Sequence, residues 1–129
     1  MKTAYVDTSC LVAVAFNEPS AGRVLRVLDQ YEELYAGNLL EAELLATAVR
    51  EGVEVDQELM APIGWVLPDR SLTEELQQVL EAGYLRGADT WHLACALFLG
   101  VSPSALGFLT LDERQADQAR RLGFAVPLP

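Results

Sequence analysis

Short runs of β-forming residues alternate with longer helical stretches along this chain, and that alternation restricts its fold more than any other feature. The β runs occupy residues 3–6, 34–36, 63–67 and 108–111, with a last short run at residues 124–126. Helices are predicted at residues 10–16, 21–30, 39–51, 55–61, 71–82, 89–99 and from 113 to 122. Parallel strands need long crossovers, which are usually helices. We therefore predict a three-layer α/β/α fold with a central, mostly parallel sheet and right-handed crossovers.

The length and composition are typical of one globular domain. With 129 residues and 51% hydrophobic content, the chain is long enough to bury a core and too short for two domains, so residues 1–129 are expected to form a single domain. It has neither a basic N-terminal segment followed by an apolar core nor an apolar stretch of about 18 residues. We therefore expect no membrane insertion, and a cytoplasmic location.

Residues that start and end helices support these boundaries. Thr8 and Ser9 are N-cap candidates for the first helix, and Ser71, followed by Glu74, has the pattern of a capping box. Glycines at positions 52, 83 and 100 are expected to end the helices that precede them.

Four carboxylates stand at the junctions between the predicted elements. Asp7 and Asp112 follow β runs, Glu43 lies one turn into a helix, and Asp89 begins one. In open α/β sheets, ligands bind at the carboxyl ends of the strands, so acids placed there can converge although they are far apart in sequence. Singly, each acid has a simpler interpretation as a helix cap, a helix-start charge or a solvated residue. Together they predict a binding site for divalent metal.

The chemistry of four carboxylates favours a hard cation. Mg²⁺ and Mn²⁺ prefer oxygen ligands. In one- or two-metal sites such ions make in-line phosphodiester hydrolysis feasible without a side-chain nucleophile. In the absence of metal, mutual repulsion should raise the pKa of at least one of the four acids.

The charge and the cysteines exclude other classes of function. A net charge of −10 argues against broad nonspecific binding of nucleic acid, but it does not exclude a nuclease whose metal ions offset charge at the point of contact. It equally suits a basic protein partner. Cys10 and Cys95 have no Cys-x-x-Cys or Cys/His spacing, so we expect two reduced, buried cysteines and no zinc site.

Four short segments that contain these acids resemble the acidic motifs of PIN-domain proteins in order and spacing. They are residues 6–9, 40–44, 87–94 and 109–112, and together they span nearly the whole chain. The resemblance implies a Mg²⁺- or Mn²⁺-dependent ribonuclease with a central parallel sheet. The small prokaryotic members of that family are mostly toxins of the VapC type, which are paired with an antitoxin and commonly form homodimers.

The resemblance also assigns roles by position. Asp7, Glu43 and Asp89 would be the principal metal-coordinating acids, and Asp112 the fourth, acting directly or through water. Thr110 would be the hydroxyl companion of Asp112, on the same side of a strand. Glu41 competes with Glu43 for the second position, and we choose Glu43 on the Ala-Glu-Leu match.

Several neighbouring residues have weaker claims to the site. His92 lies one turn after Asp89 and is either an accessory group or a partly buried neighbour. Asp117 is either a metal-assisting acid or solvated helix surface, and Arg86 and Arg114 hold either phosphate or surface partners. The family often has a serine just after the second strand, where this chain has Gly37 and Asn38.

A non-catalytic PIN-like interaction module is the main alternative to a nuclease. All four acidic positions are filled, which argues against loss of activity. A receiver-type phosphotransfer domain would need a lysine near the last strand, but the only lysine is Lys2. Three predicted helices carry more apolar surface than a small sheet needs: residues 10–16, 21–30 and 39–51. This extra apolar surface either belongs to the core or forms a groove for a dimer partner or an antitoxin.

Overall fold

The computed structural model describes residues 2–129, which form four strands and six α-helices. The strands are β1 (Thr3–Val6), β2 (Glu33–Gly37), β3 (Ile63–Val66) and β4 (Leu106–Leu109). The helices are α1 (Thr8–Ala15), α2 (Ala21–Leu28), α3 (Leu39–Glu51), α4 (Thr73–Ala82), α5 (Gly87–Phe98) and α6 (Glu113–Arg121). Single 3₁₀ turns lie at Gln57–Leu59 and Pro103–Ala105.

All four strands are parallel, in the order β3-β2-β1-β4. The register places Tyr5 of β1 between Tyr35 of β2 and Phe108 of β4. Helices cover both faces of the sheet, which confirms the predicted three-layer α/β/α fold with a central parallel sheet. Because the strands are parallel, their carboxyl ends lie along one edge, where the candidate site is found.

The core has two parts, one on each face of the sheet. Successive side chains of a strand point to opposite faces, and β1 follows this rule: Tyr5 belongs to one cluster, and Ala4 and Val6 belong to the other. All three are fully buried, as expected for a strand inside a parallel sheet that is covered on both faces.

The strand and helix bounds match the prediction closely in the first half of the chain. β1 and α3 have the predicted bounds, and β2 is one residue longer at each end. The predicted helix at residues 55–61 is wrong, since only the 3₁₀ turn Gln57–Leu59 forms there.

The fourth strand begins two residues earlier than predicted. It pairs with β1 from Leu106 to Leu109, so Thr110 lies just beyond the strand and not on it. The predicted last strand at residues 124–126 is reduced to one bridge between Gly107 and Ala125. The bounds of β4 follow from its pairing with β1, which offers only four residues, all of them used by β4 up to Leu109.

Two predicted helix caps are wrong. The N-cap of α1 is Asp7, whose side chain accepts a hydrogen bond from Ser9 N, and Thr8 is already helical. The capping box at Ser71 does not form, because α4 begins at Thr73 and has no side-chain cap. Glycines 52 and 83 do end α3 and α4, as predicted.

None of the helices formed by residues 2–129 is long and apolar enough to cross a membrane. Cys10 and Cys95 are buried and unbridged, as predicted.

Candidate active site

Asp7 lies at the carboxyl end of β1 and is almost completely buried, with 5% of its surface exposed. Its Oδ2 accepts hydrogen bonds from the backbone N (3.1 Å) and the hydroxyl (2.7 Å) of Ser9, and the Thr110 hydroxyl oxygen lies 3.4 Å from it. Ser9 is held in turn, because its hydroxyl accepts the backbone N–H of Leu111 at 3.0 Å. Local hydrogen bonds and the packing of β1 against β4 therefore fix this carboxylate in place.

Asp112 is the N-cap of α6, and its Oδ1 accepts the backbone N–H of Gln115 at 2.8 Å. Thr110 connects this cap to the buried interior: its hydroxyl accepts the Asp112 N–H at 3.1 Å and donates to Gln115 Oε1 at 2.7 Å. The Gln115 amide then donates to the backbone carbonyl of Asp89 at 3.3 Å. Thr110 and Gln115 thus link the segments that carry three of the four acids.

Asp89 is the third residue of α5 and lies in a negative environment. Burial raises the pKa of its carboxyl above the usual value, and the charges of Asp7 and Asp112 raise this pKa further. The closest cation is Arg86, whose Nη2 is 3.5 Å from Asp89 Oδ2, but Arg86 is largely exposed, so it offsets little of the repulsion. Three of the predicted acids therefore interact electrostatically, as the sequence indicated.

A small cavity of about 200 Å³ opens beside these acids. Asp89 and Asp112 line it together with Leu85, Arg86 and Arg114. Carboxylates and guanidinium groups thus face the same space, an arrangement suited to a metal ion and a phosphate side by side.

Glu43 approaches the site from α3 and is partly buried, with 34% of its side chain exposed. Its Oε1 accepts hydrogen bonds from the Thr8 hydroxyl at 2.8 Å and from His92 Nε2 at 2.9 Å. The bond from His92 is the main reason that the pKa of Glu43 is lowered. Glu43 is thus connected to Asp7 through Thr8, the residue that follows Asp7 in the chain.

The remaining candidates lie elsewhere on the molecule. Glu41 accepts a hydrogen bond from Asn38 and lines a groove between α3 and β3, away from His92. Asp117 is exposed and pairs with Arg120 at 3.0 Å, so it belongs to the solvated surface of α6.

The donor set fits a hard divalent cation in its chemistry, because it consists of carboxylate oxygens. Burial, and then the charges of Asp7 and Asp112, raise the pKa of Asp89, and a bound cation would offset these effects. Within residues 2–129, however, no three His, Cys, Asp or Glu side chains lie close enough to enclose an ion between them. Mg²⁺ commonly binds through one or two carboxylates and keeps several waters. The separation of the acids therefore suits an ion that is held partly through water.

Three residues of the site were not predicted to belong to it. Gln115 stands three positions after Asp112, which is the spacing of a capping box. Ser9 stands two positions after Asp7, the spacing of an Asx turn. The hydroxyl of Tyr5 lies 2.7 Å from His92 Nδ1. No sequence pattern around Tyr5 indicated this contact, because the pattern predicts only a buried strand.

The parallel sheet, with its acids at the carboxyl edge, defines a class of protein. The model of the PIN domain matches residues 4–121, and the chain belongs to the PIN domain family. Among curated proteins it is similar to Ribonuclease VapC46 of Mycobacterium tuberculosis (strain ATCC 25618 / H37Rv), with 30% identity over 132 residues that cover 100% of this chain and 99% of the relative. The predicted membership of this family is thereby confirmed.

Proposed function

We propose that this chain is a divalent-metal-dependent endoribonuclease that hydrolyses RNA phosphodiester bonds. The observation that carries the proposal is the placement of Asp7, Asp89 and Asp112 at the carboxyl edge of the sheet, where Thr110 and Gln115 link their segments by hydrogen bonds. Burial, and then the charges of Asp7 and Asp112, raise the pKa of Asp89. Membership of the PIN domain family and the similarity to a curated ribonuclease support the same activity.

In this proposal, the four acids hold Mg²⁺ or Mn²⁺. Asp7, Glu43 and Asp89 are the principal ligands, and Asp112 acts directly or through water. When bound, such an ion neutralises charge on a phosphate and lowers the pKa of an attacking water. Thr110 keeps Asp112 and Gln115 in register through its two short hydrogen bonds.

The arginines that line the cavity supply positive charge at the site. Arg86 and Arg114 are exposed and face the cavity shared with Asp89 and Asp112. Their planar guanidinium groups are suited to bind phosphate oxygens. A chain with a net charge of −10 would thus bind RNA only where the metal and these arginines are present.

A protein partner is the second part of the proposal: the chain acts in the cytoplasm as the toxin of a toxin–antitoxin pair and forms a homodimer. A groove of about 680 Å³ between α3 and β3 supports such contacts, and apolar residues including Leu45, Val49 and Trp65 line it. Val49 is 83% exposed, and clustered apolar surface of this kind marks interaction sites.

The test is cleavage of a mixed pool of structured RNA with Mg²⁺, with Mn²⁺ or with EDTA. Wild type, Asp7→Asn and Asp89→Asn are compared, with Asp117→Asn as the matched surface control. We expect metal-dependent cutting by the wild type and the control, and a loss of at least about 100-fold in the two site variants. Equal cutting by all four chains would indicate a contaminant and refute the assignment.

The alternative is a non-catalytic interaction module of the same family. The apolar groove and the separated acids favour it. It predicts that no RNA is cut under any condition, and that a partner binds equally well to the wild type and to Asp7→Asn.

A further inference from the structure

The single histidine of the chain is buried and is hydrogen-bonded through both ring nitrogens. His92 is 1% exposed. Its Nδ1 lies 2.7 Å from the hydroxyl of Tyr5, and its Nε2 lies 2.9 Å from Oε1 of Glu43. An imidazole engaged on both sides cannot rotate without breaking a buried hydrogen bond.

The partners of the ring determine where its hydrogen is carried. An ionised carboxylate only accepts hydrogen bonds, so the nitrogen that faces Glu43, Nε2, must carry a hydrogen. The Tyr5 hydroxyl already accepts the backbone N–H of Gly37 at 2.7 Å, which leaves its own hydrogen for Nδ1. The arrangement therefore selects the tautomer that is protonated at Nε2.

Tyr5 is itself fixed by the sheet. Its ring is fully buried and stacks on Phe108, with 5.4 Å between the centroids and 3° between the planes. A Cβ on Gly37 would lie 2.9 Å from the Tyr5 hydroxyl oxygen, so glycine at this position leaves room for the hydroxyl. The absence here of the serine that is frequent in the family thus has a physical reason.

The hydrogen bonds that run from Tyr5 through His92 to Glu43 form a chain, here called the relay. At Glu43, two hydrogen bonds meet at one carboxylate oxygen. Thr8 and His92 both donate to Oε1. Within the described part of the chain, the other oxygen, Oε2, receives no hydrogen bond. The carboxylate is thus held by one oxygen, and the second remains available to an external ligand.

We propose that Tyr5 and His92 are positioning residues, which hold Glu43 by Oε1 and so present Oε2 to a divalent cation. The proposal rests on the metal-dependent nuclease proposed above and deepens it. Neither residue touches the ion or the RNA; each acts through Glu43. The partners of metal ligands commonly orient them in this way, and their loss typically costs about 10–100-fold in affinity for the metal.

The first test is the tautomer of His92 in the metal-free full-length chain. Because the chain has one histidine, a long-range ¹H–¹⁵N spectrum of the imidazole needs no assignment. We expect the ring of the wild type to carry its hydrogen on Nε2, and this fixed pattern to be lost in Glu43→Ala, which removes the acceptor that faces Nε2. A ring that is protonated at Nδ1, or an averaged mixture in the wild type, would overturn the relay.

The second test is the affinity for Mn²⁺, measured by calorimetry. We expect His92→Leu to bind Mn²⁺ about 10–100-fold more weakly and Tyr5→Phe to be weaker in the same direction. His92→Gln keeps an N–H donor near the position of Nε2 and should retain most of the affinity. Tyr35→Phe, which removes a hydroxyl that bonds Glu33 of the same strand, β2, is the matched control. Thermal unfolding in EDTA verifies that each variant is folded.

The outcomes separate this inference from the proposed function. If the wild type binds Mn²⁺ and Asp7→Asn does not, while a folded His92→Leu binds as tightly as the wild type, the relay is wrong and the nuclease proposal stands. If the wild type binds no Mn²⁺ at all, both proposals fail. Weak binding by His92→Leu together with near-normal binding by His92→Gln would support the relay, because a merely structural role would not distinguish these two variants.

Discussion

Thr8 donates a hydrogen bond of 2.8 Å to Glu43, and this bond joins the first turn of α1 to α3. Asp7 precedes Thr8 directly, so the acid at the end of β1 and the acid of α3 are connected through one residue. Because His92 donates to the same oxygen of Glu43, the ionised carboxylate is favoured in the folded chain, and the pKa of Glu43 is lowered.

Glu43→Gln should make stability less dependent on acid pH. A carboxyl whose pKa is lower in the folded than in the unfolded chain contributes stability above its usual pKa of 4.5, and this contribution is lost as pH falls through the lower, folded value. We expect the variant to lose about 1 kcal/mol at neutral pH. In urea unfolding at a series of pH values below neutrality, the free energy of unfolding of Glu43→Gln should fall less steeply with decreasing pH than that of the wild type. Glu41→Gln should show the same pH dependence as the wild type.

Asp89→Asn should stabilise the metal-free chain. The pKa of Asp89 is raised by burial and by Asp7 and Asp112, so its ionised form opposes folding at neutral pH, and wild-type stability in EDTA should increase as pH falls towards that raised pKa. We expect Tm in EDTA to rise by about 1–3 °C in the variant at neutral pH.

The same variant should lose the response to metal. Saturating Mn²⁺ should raise the Tm of the wild type and leave that of Asp89→Asn nearly unchanged, because a ligand stabilises only the state that binds it. A Tm in EDTA that is lower in Asp89→Asn than in the wild type would contradict the proposed repulsion.

Thr110→Val should destabilise the chain, although the side chains are similar in size. Thr110 is fully buried, and its hydroxyl bonds Gln115 Oε1 and the backbone N–H of Asp112. Removing it leaves both partners unpaired, at a cost of about 1–3 kcal/mol. Denaturant unfolding measures this loss, and Thr110→Ser should recover most of it.

Gly37→Ala should also be costly, for a steric reason. The added Cβ would lie 2.9 Å from the Tyr5 hydroxyl and 3.1 Å from Cys95 Sγ, which requires these buried groups to shift at a cost of about 1–3 kcal/mol. Gly87→Ala is the control, because nothing lies within 4 Å of its Cβ. A Gly37→Ala chain as stable as this control would show that the groups around Tyr5 yield easily.

Val49→Asp should leave the fold intact and weaken self-association. At 83% exposure, the side chain contributes little to the core, so we expect a change in stability within about 0.5 kcal/mol. A charge in the groove between α3 and β3 would disfavour an apolar interface. Sedimentation of the wild type and the variant at matched concentrations tests this prediction, and a dimer of equal strength in both would place the interface on another face.

The order of elements and the acids near their ends were predictable from the sequence because they depend on local patterns. Alternation of apolar runs with helical periodicity predicted the parallel sheet, and β1 and α3 were predicted with their observed bounds. The error at β4 has a non-local cause, since the pairing with Thr3–Val6 sets where that strand begins and ends. No pattern within residues 106–111 contains this information.

The contacts of the site were less predictable than its acids. The hydrogen bonds of His92 join residues 87 positions apart, in the case of Tyr5, and 49 positions apart, in the case of Glu43. One sequence cannot reveal such pairs, because neither helical spacing nor strand alternation extends beyond a single element. The assignment of the four acids and Thr110 as metal-site residues stays a prediction until the variants are measured.

The two capping acids have a practical consequence. Asp7 and Asp112 are each the N-cap of a helix and accept a hydrogen bond from a backbone N–H. Asparagine is as good an N-cap residue as aspartate. Substitution by asparagine should therefore remove the negative charge at either position and leave the first turns of α1 and α6 intact. Under the proposed function, Asp7→Asn or Asp112→Asn would therefore give a chain that keeps its fold but holds metal less well.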